Sequence, residues 1–137
     1  MRSLGLDVGD RRTGVAISDA QGLVAFPLSV IDHKSDEAAI ADIIRLAQQY
    51  QVELIVIGLP YSLDGGLGRQ AEKVKGFSER LGQRISIDVQ LWDERLSTVA
   101  AERAMIEAGT KRGKRKHQRD AVAAAFILQG FLDSSRV

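Results

Sequence analysis

A chain of 137 residues, 45% hydrophobic and 27% charged, has the size and composition of one globular domain, since domains commonly hold roughly 100–200 residues. Cysteine is absent and histidine is limited to His33 and His117, which excludes a disulfide framework and a thiolate zinc site; a metal here would have oxygen ligands and the character of Mg²⁺ or Mn²⁺. The net charge is only +1, no apolar run nears the roughly 20 residues of a membrane span, and charges interrupt the N-terminal segment where a signal core would lie, so a cytoplasmic protein with no membrane attachment is expected.

Leu4, Leu6 and Val8 alternate with Gly5, Asp7 and Gly9, the period of two that marks a strand. A carboxylate there is costly to bury unpaired, and the flanking glycines leave room beside Asp7 for a cation, a water or a phosphate. A turn amide capped by Asp7 would account for the same residues. Residues 10–14 (DRRTG) read as a tight turn, with Val15, Ala16 and Ile17 as the returning strand of a hairpin. Residues 23–31 are apolar enough for a third strand, in which Pro27 marks an edge or a bulge. Ser35 is placed to cap a helix with Asp36 and Glu37 in its first turn and an inner stripe of Ile40, Ile43, Ile44 and Ala47.

The run LIVI at 54–57 predicts a strand covered on both faces, ending in Gly58, Leu59 and Pro60. A glycine-rich loop leads to a helix over 69–81, with Ala71, Val74, Phe77 and Leu81 on one face and Gly82 as its stop. Ile85, Ile87, Val89 and Leu91 alternate as a fifth strand that runs into WDERLST. A helix over about 98–108 follows, then a last one from near Arg119 with Ala121, Ala124, Ala125 and Leu128 facing inward. The order β-β-β-α-β-α-β-α-α predicts one α/β domain over 1–137: a mixed five-stranded sheet, built from a three-stranded antiparallel meander and two strands parallel to the first, with helices on both faces.

In open α/β sheets ligands gather beyond the carboxyl ends of the parallel strands. Asp7 lies near that end of the first strand, Asp93 and Glu94 lie at that end of the fifth, and Asp120 opens the last helix. Periodicity sets Asp93 on one face with Val89 and Leu91 and Glu94 on the other with Asp88 and Gln90, and leaves open which is used. The small residues Ala121, Ala123, Ala124 and Ala125 let the helix approach the sheet and bring Asp120 toward Asp7. Carboxylates so crowded would be driven to protonate. Divalent cations remove that conflict, and two ions about 4 Å apart can activate a water and stabilise the leaving oxygen of a phosphodiester. Residues 111–119 add Lys111, Arg112, Lys114, Arg115, Lys116 and Arg119 with no acid, so the rest of the chain is net acidic. Such a strip fits a polyanion docking at one place, or a solvated loop.

The blocks LGLDVGDRRTGVAISD, IVIGLPYSLDGGLGRQA, WDERLST and RDAVAAAFIL, in that order and over nearly the whole chain, resemble the YqgF/RuvX family of RNase H-like proteins. That family is proposed to process the precursor of the small-subunit ribosomal RNA and is also described as Holliday-junction-resolvase-like. The resemblance implies an RNase H-like fold and a nuclease using Mg²⁺ or Mn²⁺ at a two-ion site. Asp7 falls on the first-strand aspartate, Glu94 on the glutamate of the Asp-Glu-Arg motif and Asp120 on the last-helix aspartate, so these three are the expected catalytic and metal-binding residues. Where related resolvases often end the fourth strand in an acid, this chain has Gly58, Leu59 and Pro60, and Tyr61, Ser62 and Leu63 replace the usual Leu-Asn pair of the following loop.

Arg12, Arg95 and the six basic residues of 111–119 are expected to hold phosphates without reading sequence, with Arg11 and Arg69 as lesser candidates. Residues 61–68 could close over substrate, and Tyr61 or Trp92 could stack on bases, although core packing is favoured for Trp92 and a plain loop position for His117. The expected partners are structured RNA or branched DNA and pre-ribosomal particles, met by a monomer or a homodimer. Two other classes are open. One is a phosphate-binding fragment of the actin and sugar-kinase type, whose ATPase domains also begin with a strand bearing Asp-x-Gly; those enzymes bind nucleotide between two domains. The other is a non-catalytic RNA- or ribosome-binding module.

Overall fold

The computed structural model describes residues 1–60, 68–94 and 116–135, the side chains of 116–118 excepted. Its elements are β1 (Ser3–Val8), β2 (Arg12–Ser18), β3 (Ala25–Asp32), α1 (Asp36–Gln49), β4 (Leu54–Leu59), α2 (Arg69–Arg84), β5 (Asp88–Asp93) and α3 (Lys116–Ser134). The sheet runs β3-β2-β1-β4-β5. The first three strands pair antiparallel, and β4 on β1 and β5 on β4 pair parallel, as the pattern of elements predicts. The helix expected over 98–108 and the loop 61–67 lie outside the described residues. No helix among the described residues is long and apolar enough to cross a membrane.

Alternation along the strands builds two apolar layers. Leu4, Leu6, Val15, Ile55 and Ile57 face α1 and α2, while Ala16, Leu54 and Val56 face α3 through Ala124, Ile127 and Leu128. β4 is buried along its whole length because helices cover both its faces. Ser35 caps α1 by accepting a hydrogen bond from the Ala38 amide at 3.2 Å. Pro27 lies on the edge strand β3 and beside a bulge: the register passes from Val15–Ser29 to Ala16–Pro27, which leaves Leu28 as the extra residue.

Several boundaries differ from expectation. The β1–β2 turn is shorter, because the Gly9 amide donates to the Arg12 carbonyl at 2.9 Å and β2 already begins at Arg12. Arg12 is therefore a strand residue with a fixed direction. Helix α2 passes through Gly82 to Arg84, since Gly82 lacks the left-handed φ that a glycine stop uses. Ile85 then ends the helix and β5 starts only at Asp88, with Ile85 and Ile87 packing on the core from outside the strand. Finally, α3 begins at Lys116, so Asp120 sits a turn inside the helix rather than at its opening.

The seat of α3 is made by glycine. A Cβ on Gly14 of β2 would fall into the backbone carbonyl of Asp120. One on Gly5 of β1 would stand 2.6 Å from Leu128 Cβ, and one on Gly58 of β4 would stand 2.5 Å from Ile127 Cδ1. At the far end Gln129 fixes the helix, its Oε1 accepting from the Ala25 amide at 2.9 Å and its Nε2 donating to the Leu23 carbonyl at 3.0 Å. Gly14→Ala is expected to cost at least about 1–3 kcal/mol, because the obstructing atom is backbone and cannot rotate away. Gly82→Ala, whose Cβ meets nothing within 4 Å, is expected to leave stability unchanged or raise it by up to about 1 kcal/mol. Urea denaturation of the two variants checks the contrast.

Candidate active site

Asp7 belongs to the face of β1 that looks at α3, since it shares the phase of Gly5, and its register partner on β2 is Gly14. The absence of a side chain at Gly14 lets the Asp120 backbone come down beside that pair. On the other side of β1, the parallel register sets Gly58 of β4 against Trp92 of β5. Trp92 packs into the α3-side layer, so Glu94, two residues on, falls on that side as well. The Glu94 carboxylate reaches over Gly58, its Oε1 lying 2.7 Å from where a Cβ on that glycine would stand. Asp93 pairs with Leu59, on the α1–α2 side.

A cavity of about 240 Å³ at this rim is lined by Asp7, Glu94 and Asp120 together with Arg12, Gly58 and Gln70. The acids come from the end of β1, the residue after β5 and the second turn of α3, and span residues 7 to 120 of the chain. Arg12 Nε stands 3.3 Å from Asp120 Oδ2, with the two side chains 34% and 31% exposed. The Oδ2 atom is buried and has no hydrogen bond among the described residues, so the contact with Arg12 is one of charge rather than a directed bond. Exposed to this degree, such a pair contributes at most about 1 kcal/mol.

The lining offers carboxylate oxygen and no sulfur or imidazole, which suits a hard divalent cation. The buried Oδ2 of Asp120, without a hydrogen bond among the described residues, is an atom that such a cation would satisfy. Among the described residues no three acids or histidines are yet gathered closely enough to hold one ion. The carboxylates share a cavity, and Asp120 faces an arginine within it.

The remaining candidates are distributed as follows. Trp92 meets Phe131 edge-on, with ring centroids 5.9 Å apart and planes at 89°, so it belongs to the core. Arg11 and Arg69 are exposed, and Arg119 is half-buried on α3. Tyr61, Arg95, Lys111, Arg112, Lys114 and Arg115 lie outside the described residues, as do the side chains of Lys116 and His117. The sequence reading omitted Gln70, which donates to the Val8 carbonyl at 3.3 Å and lines the rim. A second cavity of about 350 Å³ shares Val8, Gly9 and Gln70 with the first, and its Lys73 and Arg80 are paired with Asp10 and Asp36.

A family model described as RuvX, Holliday junction resolvase, matches residues 1–134. A protein of Clostridium botulinum strain Hall, provisionally named pre-16S rRNA nuclease, is 48% identical over 134 residues, covering 98% of each chain. A Clostridium novyi protein of the same name is also 48% identical, covering 98% of this chain and 99% of its own. Among solved structures, Thermus thermophilus RuvC in complex with a Holliday junction substrate superposes with a TM-score of 0.65 at 14% identity, over 100% of this chain and 98% of that one. The fowlpox virus resolvase with Holliday junction DNA gives 0.59 at 11% identity, over the whole of both chains. At such identities the likeness is one of fold. The match through 1–134 puts the chain in a resolvase family rather than among the kinases of the first alternative. The chain belongs to the RuvX Holliday junction resolvase family and is a nucleic-acid-hydrolysing enzyme with an RNase H-like fold.

Proposed function

We propose that this nuclease cuts the precursor of 16S ribosomal RNA at its 5′ end during ribosome assembly, with Asp7, Glu94 and Asp120 holding Mg²⁺ or Mn²⁺ for the reaction. The observation that carries this reading is the single cavity that the three acids line together with Arg12. Its substrate is suggested by relatives 48% identical over nearly the full chain that bear the pre-16S rRNA nuclease name. Divalent ions, when bound, activate the attacking water and stabilise the leaving oxygen.

The chain's own residues divide the work by position across the sheet. Asp120 lies over β2, Asp7 on β1 and Glu94 over β4, so Asp7 is the middle carboxylate. Asp7 would therefore be the central residue of the set that holds the ions, with Glu94 and Asp120 to either side of it. Arg12, half-exposed in the same cavity, binds a phosphate oxygen of the substrate and orients the strand to be cut. Arg95 and the basic residues from Lys111 to Arg119 hold the nucleic-acid backbone, a contact that positions without specifying sequence. The family description favours one further substrate, a four-way DNA junction.

Asp7→Asn is expected to lower Mn²⁺-dependent cleavage of a pre-16S RNA fragment by about 10³-fold or more, since ion-borne stabilisation is worth several kcal/mol, while RNA affinity stays within a few-fold of the parent. Unchanged cleavage by a pure preparation of the variant would reject the assignment, and a parent protein that binds but never cleaves would favour the binding-module reading. Faster cleavage of a four-way DNA junction than of the RNA would make the resolvase activity the primary one. Neutralising Lys114, Arg115 and Lys116 together should weaken RNA binding and flatten the slope of log K against log salt by about two to three. An unaltered slope would remove this segment from the docking surface.

A further inference from the structure

We infer that Arg12 is a built-in counterion that competes with the catalytic cation for Asp120 and is handed to the substrate phosphate when that cation binds. The inference rests on the metal-dependent reading above and deepens it. Asp120 Oδ2 is a buried atom with no hydrogen bond among the described residues, and its near charge is Arg12 Nε at 3.3 Å. Without compensation a carboxylate oxygen so enclosed would be penalised by desolvation. The guanidinium supplies that compensation from the adjacent strand, because β2 begins at Arg12 and the residue two further on, Gly14, admits the Asp120 backbone.

Both partners stay about one-third exposed, so the pair is weak enough to exchange. A divalent ion at Asp120 brings two positive charges into the cavity that Arg12 also lines, and like-charge repulsion then favours withdrawal of the guanidinium. The arginine has somewhere to go, since its side chain opens on the same cavity in which a phosphodiester would lie. Arg12 thus acts on the reaction through Asp120 and through the phosphate. By holding Asp120 Oδ2 it competes with the ligand set that this carboxylate would form with Asp7 and Glu94 in the shared cavity. Metal binding and phosphate binding become coupled: the ion frees the arginine, and the phosphate keeps it from returning.

The test is calorimetric titration of Mn²⁺ into the full chain, with no nucleic acid present, for the parent, Arg12→Gln, Arg12→Lys, Asp7→Asn, Asp120→Asn and Arg12→Gln combined with Asp120→Asn. Arg12→Gln is expected to bind Mn²⁺ about 3–10-fold more tightly, and Arg12→Lys to fall between it and the parent. With Asp120→Asn in place, the Arg12 change is expected to have no effect on Mn²⁺ affinity. In a second readout, binding of a labelled RNA stem-loop is measured with Ca²⁺ replacing Mn²⁺. The loss of affinity on Arg12→Gln is expected to be larger with Ca²⁺ than in EDTA. Equal or weaker Mn²⁺ binding by both Arg12 variants would overturn the inference while leaving the metal site intact. If Mn²⁺ bound to none of these proteins, or bound without sensitivity to Asp7→Asn, the metal-dependent reading itself would fail and the inference with it.

Discussion

Helix α3 carries Asp120 to the sheet only because three neighbouring strands present no side chain where it crosses. Gly14, Gly5 and Gly58 occupy successive strands on one face, and a Cβ on any of them would collide with the helix. The clearance has a cost: glycine within strands weakens them through backbone entropy and lost packing. That cost is offset by the apolar contacts of Ala124, Ile127 and Leu128 with Leu54, Val56 and Ala16, and by the Gln129 bonds that hold the opposite end of the helix. Gly58 has a second role, because the space above it is taken by the Glu94 carboxylate. The same vacancies therefore seat the helix and admit two of the three acids.

The consequence is electrostatic. Three carboxylates line one rim, and the chain places an arginine among them. Gly58, near the end of the fourth strand, offers no side chain, and Glu94 fills the region from the end of the next strand. A position that contributes no side chain of its own is, in three dimensions, the clearance for the Glu94 carboxylate.

Much of this was legible in the sequence, for identifiable reasons. Strand alternation in β1, the capped amphipathic α1 and the continuous apolar run of β4 are local signals, and the resulting order of elements predicts which strands pair antiparallel and which parallel. Asp7 could be named from its position at a strand end, and Asp120 from its place before the alanine-rich stretch, although it lies a turn inside α3 rather than at its opening. Periodicity alone leaves Asp93 and Glu94 open, and the resemblance points to Glu94; the register of β5 on β4 sets the phase that puts Glu94, not Asp93, on the α3 side. The start of β2 was misplaced because Arg12, Thr13 and Gly14 have turn-like composition, whereas the Gly9–Arg12 hydrogen bond closes the turn earlier. Gly82 was read as a helix stop on residue type alone, although it keeps a helical backbone. The glycine seat itself is a relation between strands far apart in sequence, and its only local trace is the alanine-rich face of α3.

The most direct test of the account is anomalous scattering from crystals of the protein soaked in Mn²⁺. Manganese in contact with the Asp7 carboxylate, with Glu94 or Asp120 completing its coordination and the Arg12 guanidinium withdrawn from Asp120, is the result expected. Saturating Mn²⁺ that leaves the Asp7 rim empty, or that binds only at other surfaces, would contradict it.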